Sequence, residues 1–469
     1  MRIPRNRTVP LIVAAALFME HLDSTIIATA LPVMAKDFGL PPIMLNLAIT
    51  TYLVAVAVFI PASGWLADRF GARRVFVSAI GVFLLGSILC GLSQSLPMLV
   101  GGRLVQGLGG AMMVPVGRLL LLRSVPKTEL ISAMAWLTIP AMIGPVMGPP
   151  VGGFITTYAS WRWLFWINVP IGIIGIAVAL WLLPSIREED APAFDYTGFF
   201  LSAAGLAAGV FAFETLGRGI VPVEVTVAAA LVGFTLIFAY IRHARNVDRP
   251  LVDLSLLRIP TFRAAVVGGS LFRIGVGAVP FLLPLQLQIG FGRSPLESGL
   301  TTFVSAAGAL MLKAFAGRII GRFGFRNTLV FNSILGALFI AVVGLAGPGT
   351  PVAILMSVLL IGGFFRSLEF TAINAIGYAD IEPAQMSRAT SLSGMAQQLS
   401  LSGGVAFAAL TLHLLTMKDG LALDAGHISI AIGLVGILSA SAAWIFAALP
   451  ENAGEAMIGK FSSESRGAG

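Results

Sequence analysis

Runs of about 20 apolar residues follow one another along almost the whole chain, each long enough as a helix to cross a hydrocarbon core of about 30 Å. They fall near 11–34, 44–66, 75–95, 98–121, 131–157 and 164–183, then 196–216 and 222–241, then 264–290, 297–320, 328–347, 351–378, 389–416 and 428–449. The expected fold is therefore all-α and polytopic, with fourteen membrane spans laid out as six, two and six. Only 11% of the 469 residues are charged, against about 25% in soluble domains. The organisation this implies is a six-helix bundle over 1–186, a linker with two inserted helices over 187–258, a second six-helix bundle over 259–450, and a tail over 451–469. An N-terminal secretory signal is imitated by Arg2, Arg5 and Arg7, the apolar run and Ala28–Ala30. Glu20, His21 and Asp23 interrupt that run, so residues 11–34 read as the first span.

An even number of spans puts both termini on one side. With the N-terminus in the cytoplasm, 21 Lys and Arg lie in cytoplasmic segments and five outside, leaving Arg103, Arg273, Lys313 and Arg366 within spans. The positive-inside rule thus places both ends in the cytoplasm of a multi-pass inner-membrane protein. The same bias accounts for the net charge of +8 without nucleic acid, because the basic residues are scattered singly through loops. The single cysteine, Cys90, has no partner for a disulfide and reads as small apolar filler.

The loop after the second span reads GWLADRFGARRVF from Gly64, and 253 residues later GRIIGRFGFRNTL begins at Gly317. Gly64, Arg69, Phe70, Gly71 and Arg73 recur as Gly317, Arg322, Phe323, Gly324 and Arg326. Two related halves suit a transporter in which one half rocks against the other around a site at the membrane midplane. Gly64, Leu66, Ala67, Asp68, Arg69, Gly71, Arg73 and Arg74 also match the signature G-x-L-A-D-R-x-G-R-[RK], departing at Ala72. On this loop and the motifs below, the chain resembles the major facilitator superfamily over nearly its whole length. The resemblance implies a charge-bonded cytoplasmic latch here. The second copy has Gly321 where the first has Asp68.

The fourth span carries GRLVQGLGG, with Arg103 and Gln106 one turn apart on the same face. An intramembrane arginine costs about 3 kcal/mol or more and faces the protein interior or a wet cavity, unless it snorkels to the outer headgroups. The pair matches the R-x-x-Q-G signature, whose arginine the resemblance implicates in proton coupling. The following glycines read as close helix packing rather than a nucleotide loop. In the fifth span Gly144, Gly148, Pro149, Gly152 and Gly153 match G-x-x-x-G-P-x-x-G-G. Small residues four apart let backbones approach, and Pro149 and Pro150 bend the helix. This looks like the antiporter signature of exporters. With WRWLFWINVP from Trp161 and the six–two–six layout, the resemblance narrows to the 14-span drug:proton antiporters (the EmrB/QacA-like family).

No other energy source is visible. None of the five lysines sits in a P-loop pattern, and His21, His243, His413 and His427 lack metal-site spacing. No metal or other cofactor is expected, and the proton gradient would supply the energy. No His/Ser/Asp constellation suggests a membrane-embedded enzyme; a non-transporting sensor is the other reading. In the C-terminal half Arg366 and Glu369, three apart, either pair along one face or line a cavity. Asn374, Gln397 and Gln398, with Gln106 from the first half, are further cavity candidates. Arg273 and Lys313 lie where a small shift would bring either to an interface.

The first span contains FMEHLDSTIIATALPVM over 18–34. Glu20 and Asp23 stand roughly 60° apart on one helix face, and two carboxylates that close resist being charged together. LDSTIIATALP resembles the first-span signature of the 14-span antiporters, with Asp23 as its acid; Glu20 lies outside it and ranks second. Asp23, Glu20 and Arg103 are the expected proton-coupling residues, although Asp23 could simply be neutralised by Arg103. His21 points away from their face. The expected function is export of amphipathic or lipophilic compounds in exchange for protons by alternating access, with lipids and protons as the other partners. A lipid or metabolite flippase is the alternative within the fold, and a periplasmic adaptor is left open.

Overall fold

Gly71 and Gly324 hold matching positions in the repeated loop, and both take backbone that only glycine adopts without strain, with φ of 90° and 74°. The repeat read in the sequence is thus a repeat of conformation. Its arginines agree: Arg73 donates to the Leu183 carbonyl at 3.1 Å and Arg326 to the Ala447 carbonyl at 3.1 Å. In each half this loop arginine caps the end of the last apolar helix of that half.

The computed structural model describes residues 5–27, 30–40, 42–184, 193–216, 221–248, 250–293, 295–312, 315–419 and 423–458. In chain order its helices are α1 Arg5–Ile26, α2 Leu31–Phe38, α3 Asn46–Phe59, α4 Ser63–Phe70, α5 Ala72–Gly91, α6 Leu96–Ser124 and α7 Leu130–Tyr158. Next come α8 Trp163–Trp166, α9 Asn168–Leu182, α10 Tyr196–Thr215, α11 Val223–Ala244, α12 Pro260–Arg263 and α13 Gly269–Leu285. The remainder are α14 Pro295–Met311, α15 Ala316–Leu345, α16 Val352–Ile376, α17 Met386–Asp419, α18 Ala425–Ala440, α19 Ala442–Ala447 and α20 Glu455–Ile458. Among the described residues there is no strand, and twelve helical stretches are long and apolar enough to cross a membrane.

Two expected spans are not among the twelve. The one near 131–157 corresponds to α7, 29 residues long. The one near 297–320 corresponds to the 17-residue α14 and the first turns of α15. Lys313 lies outside the described residues. At Gly324 (φ 74°, ψ 166°) the backbone of α15 leaves the helical region, so a kink separates the end of the expected span near 297–320 from the start of the next.

The chain forms two compact units. The first comprises Met1–Ser124, Met147–Leu254 and Glu382–Met395, and the second Val125–Val146, Ser255–Ile381 and Ala396–Gly469. Within the first, the GLGG glycines of α6 are contact points, as expected: a Cβ on Gly107 would stand 2.6 Å from Ala55 Cβ of α3, and one on Gly109 would stand 2.7 Å from Ala79 O of α5. Cys90 is buried in an apolar cluster with Ile26, Leu99, Leu164 and Phe165. Helices α10 and α11 pack on each other through Gly205 and Gly233, while Leu231, Phe234 and Phe238 stay exposed, as a lipid-facing helix requires.

Within the second unit, Ala278, Leu282, Ile340, Ile428 and Val435 form a core between α13, α15 and α18. Helices α12 and α13 belong to one run, Pro260–Gly290, of 31 residues. It contains π-helical turns at Ala264–Gly268 and Gln286–Gly290 and prolines at Pro280 and Pro284. The missing proline donors and the wider turns both loosen the helical ladder there.

Candidate functional site

The polar residues of α1 and α6 meet in the interior of the first unit. Arg103 Nη1 donates to Asp23 Oδ2 at 2.6 Å, and neither side chain is exposed. The second carboxylate oxygen, Oδ1, accepts from Gln106 Nε2 at 2.9 Å and from Asn168 Nδ2 at 2.7 Å. Both amides also donate to Ser87 Oγ, at 2.8 and 3.3 Å. The guanidinium bonds Gln106 Oε1 at 2.6 Å and the Ala48 carbonyl at 3.3 Å, and it lies 4.2 Å over the Tyr52 ring. Four helices, α1, α5, α6 and α9, thus fix one carboxylate, and α3 supplies an aromatic face and a carbonyl to its cation. Both oxygens of the carboxylate are met, Arg103 Nη2 is buried without a partner, and removing either member would leave a costly lone charge.

Glu20, one turn back, is held differently. It is 6% exposed, takes a hydrogen bond of 3.4 Å from Tyr52 OH on Oε1, and has no partner on Oε2. The two acids expected to act together therefore have unequal surroundings. Asp23 has a cation and two amides, whereas Glu20 has one phenol. Arg103 is wholly buried, so it does not snorkel.

Gln106 was expected to line a substrate cavity, but it is closed over within this cluster with no exposure. Ser87, Asn168 and Tyr52 were not singled out from the sequence. Asn168 had a readable signal: a polar amide just after the aromatic run WRWLFW, at the start of an apolar span. Ser87 and Tyr52 look like ordinary span residues until the helices are placed.

In the second unit Arg366 and Glu369 share a helix face but not a bond. Arg366 donates to Ser305 Oγ on α14, and Glu369 Oε2 accepts from Asn332 Nδ2 on α15 at 2.9 Å. Of the two readings left open, mutual pairing gives way to bonds to neighbouring helices. Arg366, Leu282, Ile340 and Leu359 border a narrow, mainly apolar cleft between α13, α15, α16 and α18. Asn374 accepts from Arg273 Nη2 at 3.3 Å. Gln397 and Gln398 are half-buried on α17.

Of the residues in the repeated-loop motif, Asp68 makes a charge pair, and its partner Arg123 comes from α6, outside the motif. Asp68 accepts from Arg123 Nη2 at 3.0 Å and from Ser387 Oγ at the start of α17. Close by, Gly64 N donates to Ser391 Oγ at 3.0 Å. A Cβ at Gly64 would lie 2.7 Å from both Ser387 O and Ser391 Oγ. Arg69 and Arg74 are exposed. In the fifth-span motif Gly144, Gly148 and Gly152 are buried, Gly153 is partly so, and the side chain of Pro149 lies outside the described residues. Gly148 abuts the Thr25 side chain of α1 and stands 3.1 Å, measured from a built Cβ, from Ile26 N. The motif's small residue is therefore what lets α7 approach the helix that bears Asp23.

A family model described as Major Facilitator Superfamily matches residues 13–405. The chain belongs to the major facilitator superfamily. This facilitator is a multi-pass membrane protein, and its superfamily is one of transporters. It is similar to a "Putative multidrug resistance protein MdtD" of Serratia proteamaculans (strain 568), 42% identical over 399 residues, covering 85% of this chain and 83% of that protein. Proteins of the same name from Escherichia coli O157:H7 and Cronobacter sakazakii (strain ATCC BAA-894) are each 40% identical, covering 86% of this chain and 85% of their own length. Among solved structures, the crystal structure of the human organic anion transporter MFSD10 (TETRAN) superposes with a TM-score of 0.68 at 16% identity, covering 95% of this chain and 100% of that one. That likeness concerns the fold alone.

Proposed function

We propose that this facilitator exports amphipathic, lipophilic compounds from the cytoplasm in exchange for protons, by alternating access. The name of its relatives, which cover most of its length at about 40% identity, supports a drug-like substrate range. The observation that carries proton exchange is the Asp23–Arg103 pair, buried in the membrane-spanning part of the first unit. Intramembrane charges of this kind mark ion and proton pathways. Protonating Asp23 would cancel its charge and free Arg103 and the two amides to rearrange; losing the proton would restore the present arrangement. One group that is either charged and tied or neutral and untied can bias a two-state transporter.

In this reading the fourteen-span layout, with two six-helix bundles around an inserted pair, provides the rocking elements. Both termini lie in the cytoplasm of an inner membrane. The chain works as a transporter without enzymatic activity, metal or organic cofactor, and its partners are small amphipathic molecules, protons and membrane lipids. The test is a growth-inhibition screen over a broad drug panel, using a strain that overproduces the protein. Raised tolerance to several lipophilic compounds, lost in Asp23→Asn at equal membrane abundance, is the expected result. Unchanged tolerance across the panel would count against export of such compounds.

A further inference from the structure

The second unit contains a buried carboxylate with no cation on it. Glu369 has no exposed surface, and its one hydrogen bond comes from Asn332 Nδ2 to Oε2. Asn332 spends its other amide hydrogen on the Phe365 carbonyl at 2.7 Å. Because both of its partners are acceptors, the orientation of this amide is fixed by chemistry. Two atoms of the couple are then left over, Glu369 Oε1 and Asn332 Oδ1, both buried and both without a partner. Both are acceptors. What the couple lacks is one hydrogen.

A carboxylic acid and a primary amide complement each other through two bonds, N–H to carbonyl oxygen and O–H to amide oxygen. The first of these is present. A proton on Oε1 supplies the second donor and gives both orphaned oxygens a use, whereas ionised Glu369 leaves two buried acceptors unmet, at a cost of about 1–3 kcal/mol each. The neighbouring charges do not offer an alternative. Arg366, one turn away on α16, is turned to Ser305 of α14. Arg273 of α13 is directed to Asn374 and lies 5.9 Å over the Phe370 ring. Helix α15 contributes Asn332, and its own arginines, Arg318, Arg322 and Arg326, stand six or more residues back along the chain, in the repeated loop.

We propose that Glu369 is a second proton-binding site, a neutral acid paired with the Asn332 amide, which exchanges its proton during transport. On release the O–H bond breaks, the electron pair stays on Oε1, and the proton passes to water. Arg366 then leaves Ser305 and balances the new charge from one turn away. This rests on the proton exchange proposed above and adds a proton to it. Asp23, already neutralised by Arg103, and Glu369, neutralised by its own proton, would be two different answers to burying a carboxylate.

Difference infrared spectra of the full chain in lipid bilayers, recorded across a pH step, read the carbonyl stretch of protonated acids directly. The expected result is a protonated-acid band that is absent in Glu369→Gln and displaced in Asn332→Leu, which removes the donor to that carbonyl. Spectra in which neither substitution alters such a band overturn the proposal. If Glu369→Gln does not fold, the Asn332→Leu displacement decides alone. In proteoliposomes, Glu369→Gln is expected to lower by one the protons exchanged per tetraphenylphosphonium. If the wild type shows no proton-driven flux while the Glu369 band persists, the antiport reading fails and the proton site stands.

Discussion

Arg103 reaches Asp23 across 2.6 Å with both side chains wholly buried, although the two residues are 80 positions apart and on different helices. The pair is the hub of a bonded cluster from α1, α5, α6 and α9. Its strength lies in completeness, because every oxygen of the carboxylate is met. That is also why it can act as a switch, since one proton on Asp23 alters all three incoming bonds together.

Removing the cation should therefore cost more than removing the pair. Arg103→Gln leaves Asp23 buried without a counter-charge and is expected to lose about 3–5 kcal/mol of stability. In thermal unfolding in detergent, the double variant Asp23→Asn with Arg103→Gln should melt above Arg103→Gln alone. A double variant no more stable than the single would mean that the two charges do not depend on each other.

The fifth-span glycine motif should be intolerant at one position above the others. A methyl group at Gly148 runs into Thr25, so Gly148→Ala is expected to cost about 1–3 kcal/mol, the usual penalty of overpacking. Gly153, with open space where its Cβ would be, should accept alanine with little change. Equal effects at both positions, measured by folded yield and melting temperature, would contradict the close approach of α7 to α1.

The latch makes a kinetic prediction. Asp68→Asn weakens the bond from Arg123 and the tie to Ser387, which should loosen the start of α17. Thr390 is 1% exposed. With Cys90→Ala as background, a Thr390→Cys probe should react several-fold faster with a maleimide when Asp68→Asn is added. Equal rates would show that the latch bonds do not hold this segment.

One acid gives a pH dependence whose sign is set by its surroundings. Asp37, beyond the end of the first span, accepts from the Trp161 indole and from Arg162, each at 3.0 Å, and these donors hold its carboxyl below the ordinary value of 3.8. The stabilisation from this lowered value is therefore fully present above that ordinary value and is lost as pH falls through the depressed one. Asp37→Asn should lower the melting temperature slightly at neutral pH, converge with the wild type at the acid end, and so flatten the acid limb of the profile. An acid limb identical to the wild type would assign it to other groups.

Much of this was legible in the sequence, for physical reasons. The apolar runs had to become helices. The loop repeat had to preserve glycine at Gly71 and Gly324, where the backbone needs positive φ. Asp23 and Arg103 stood out because charge is expensive inside a membrane. Two of their partners were hidden because a Ser or Tyr in an apolar span costs little, so Ser87 and Tyr52 leave no mark until packing brings them together, whereas Asn168 after WRWLFW was readable. Spacing also left a choice open. Arg366 and Glu369 are placed to pair, yet Ser305 and Asn332, on other helices, compete successfully for them. The latch shows the same limit: Asp68 was evident, but its partner Arg123 lies outside the motif and the serines of α17 lie more than 300 residues away along the chain.

The central claim is proton-driven export, and flux into inverted membrane vesicles tests it most directly. With the lumen made acid, vesicles containing the protein should accumulate tetraphenylphosphonium or another lipophilic drug of a broad panel, release protons as they do so, and stop when the gradient is collapsed. Asp23→Asn, folded and equally abundant, should show no gradient-driven uptake. Absence of gradient-dependent uptake for every compound tested, or full uptake by Asp23→Asn, would contradict the account.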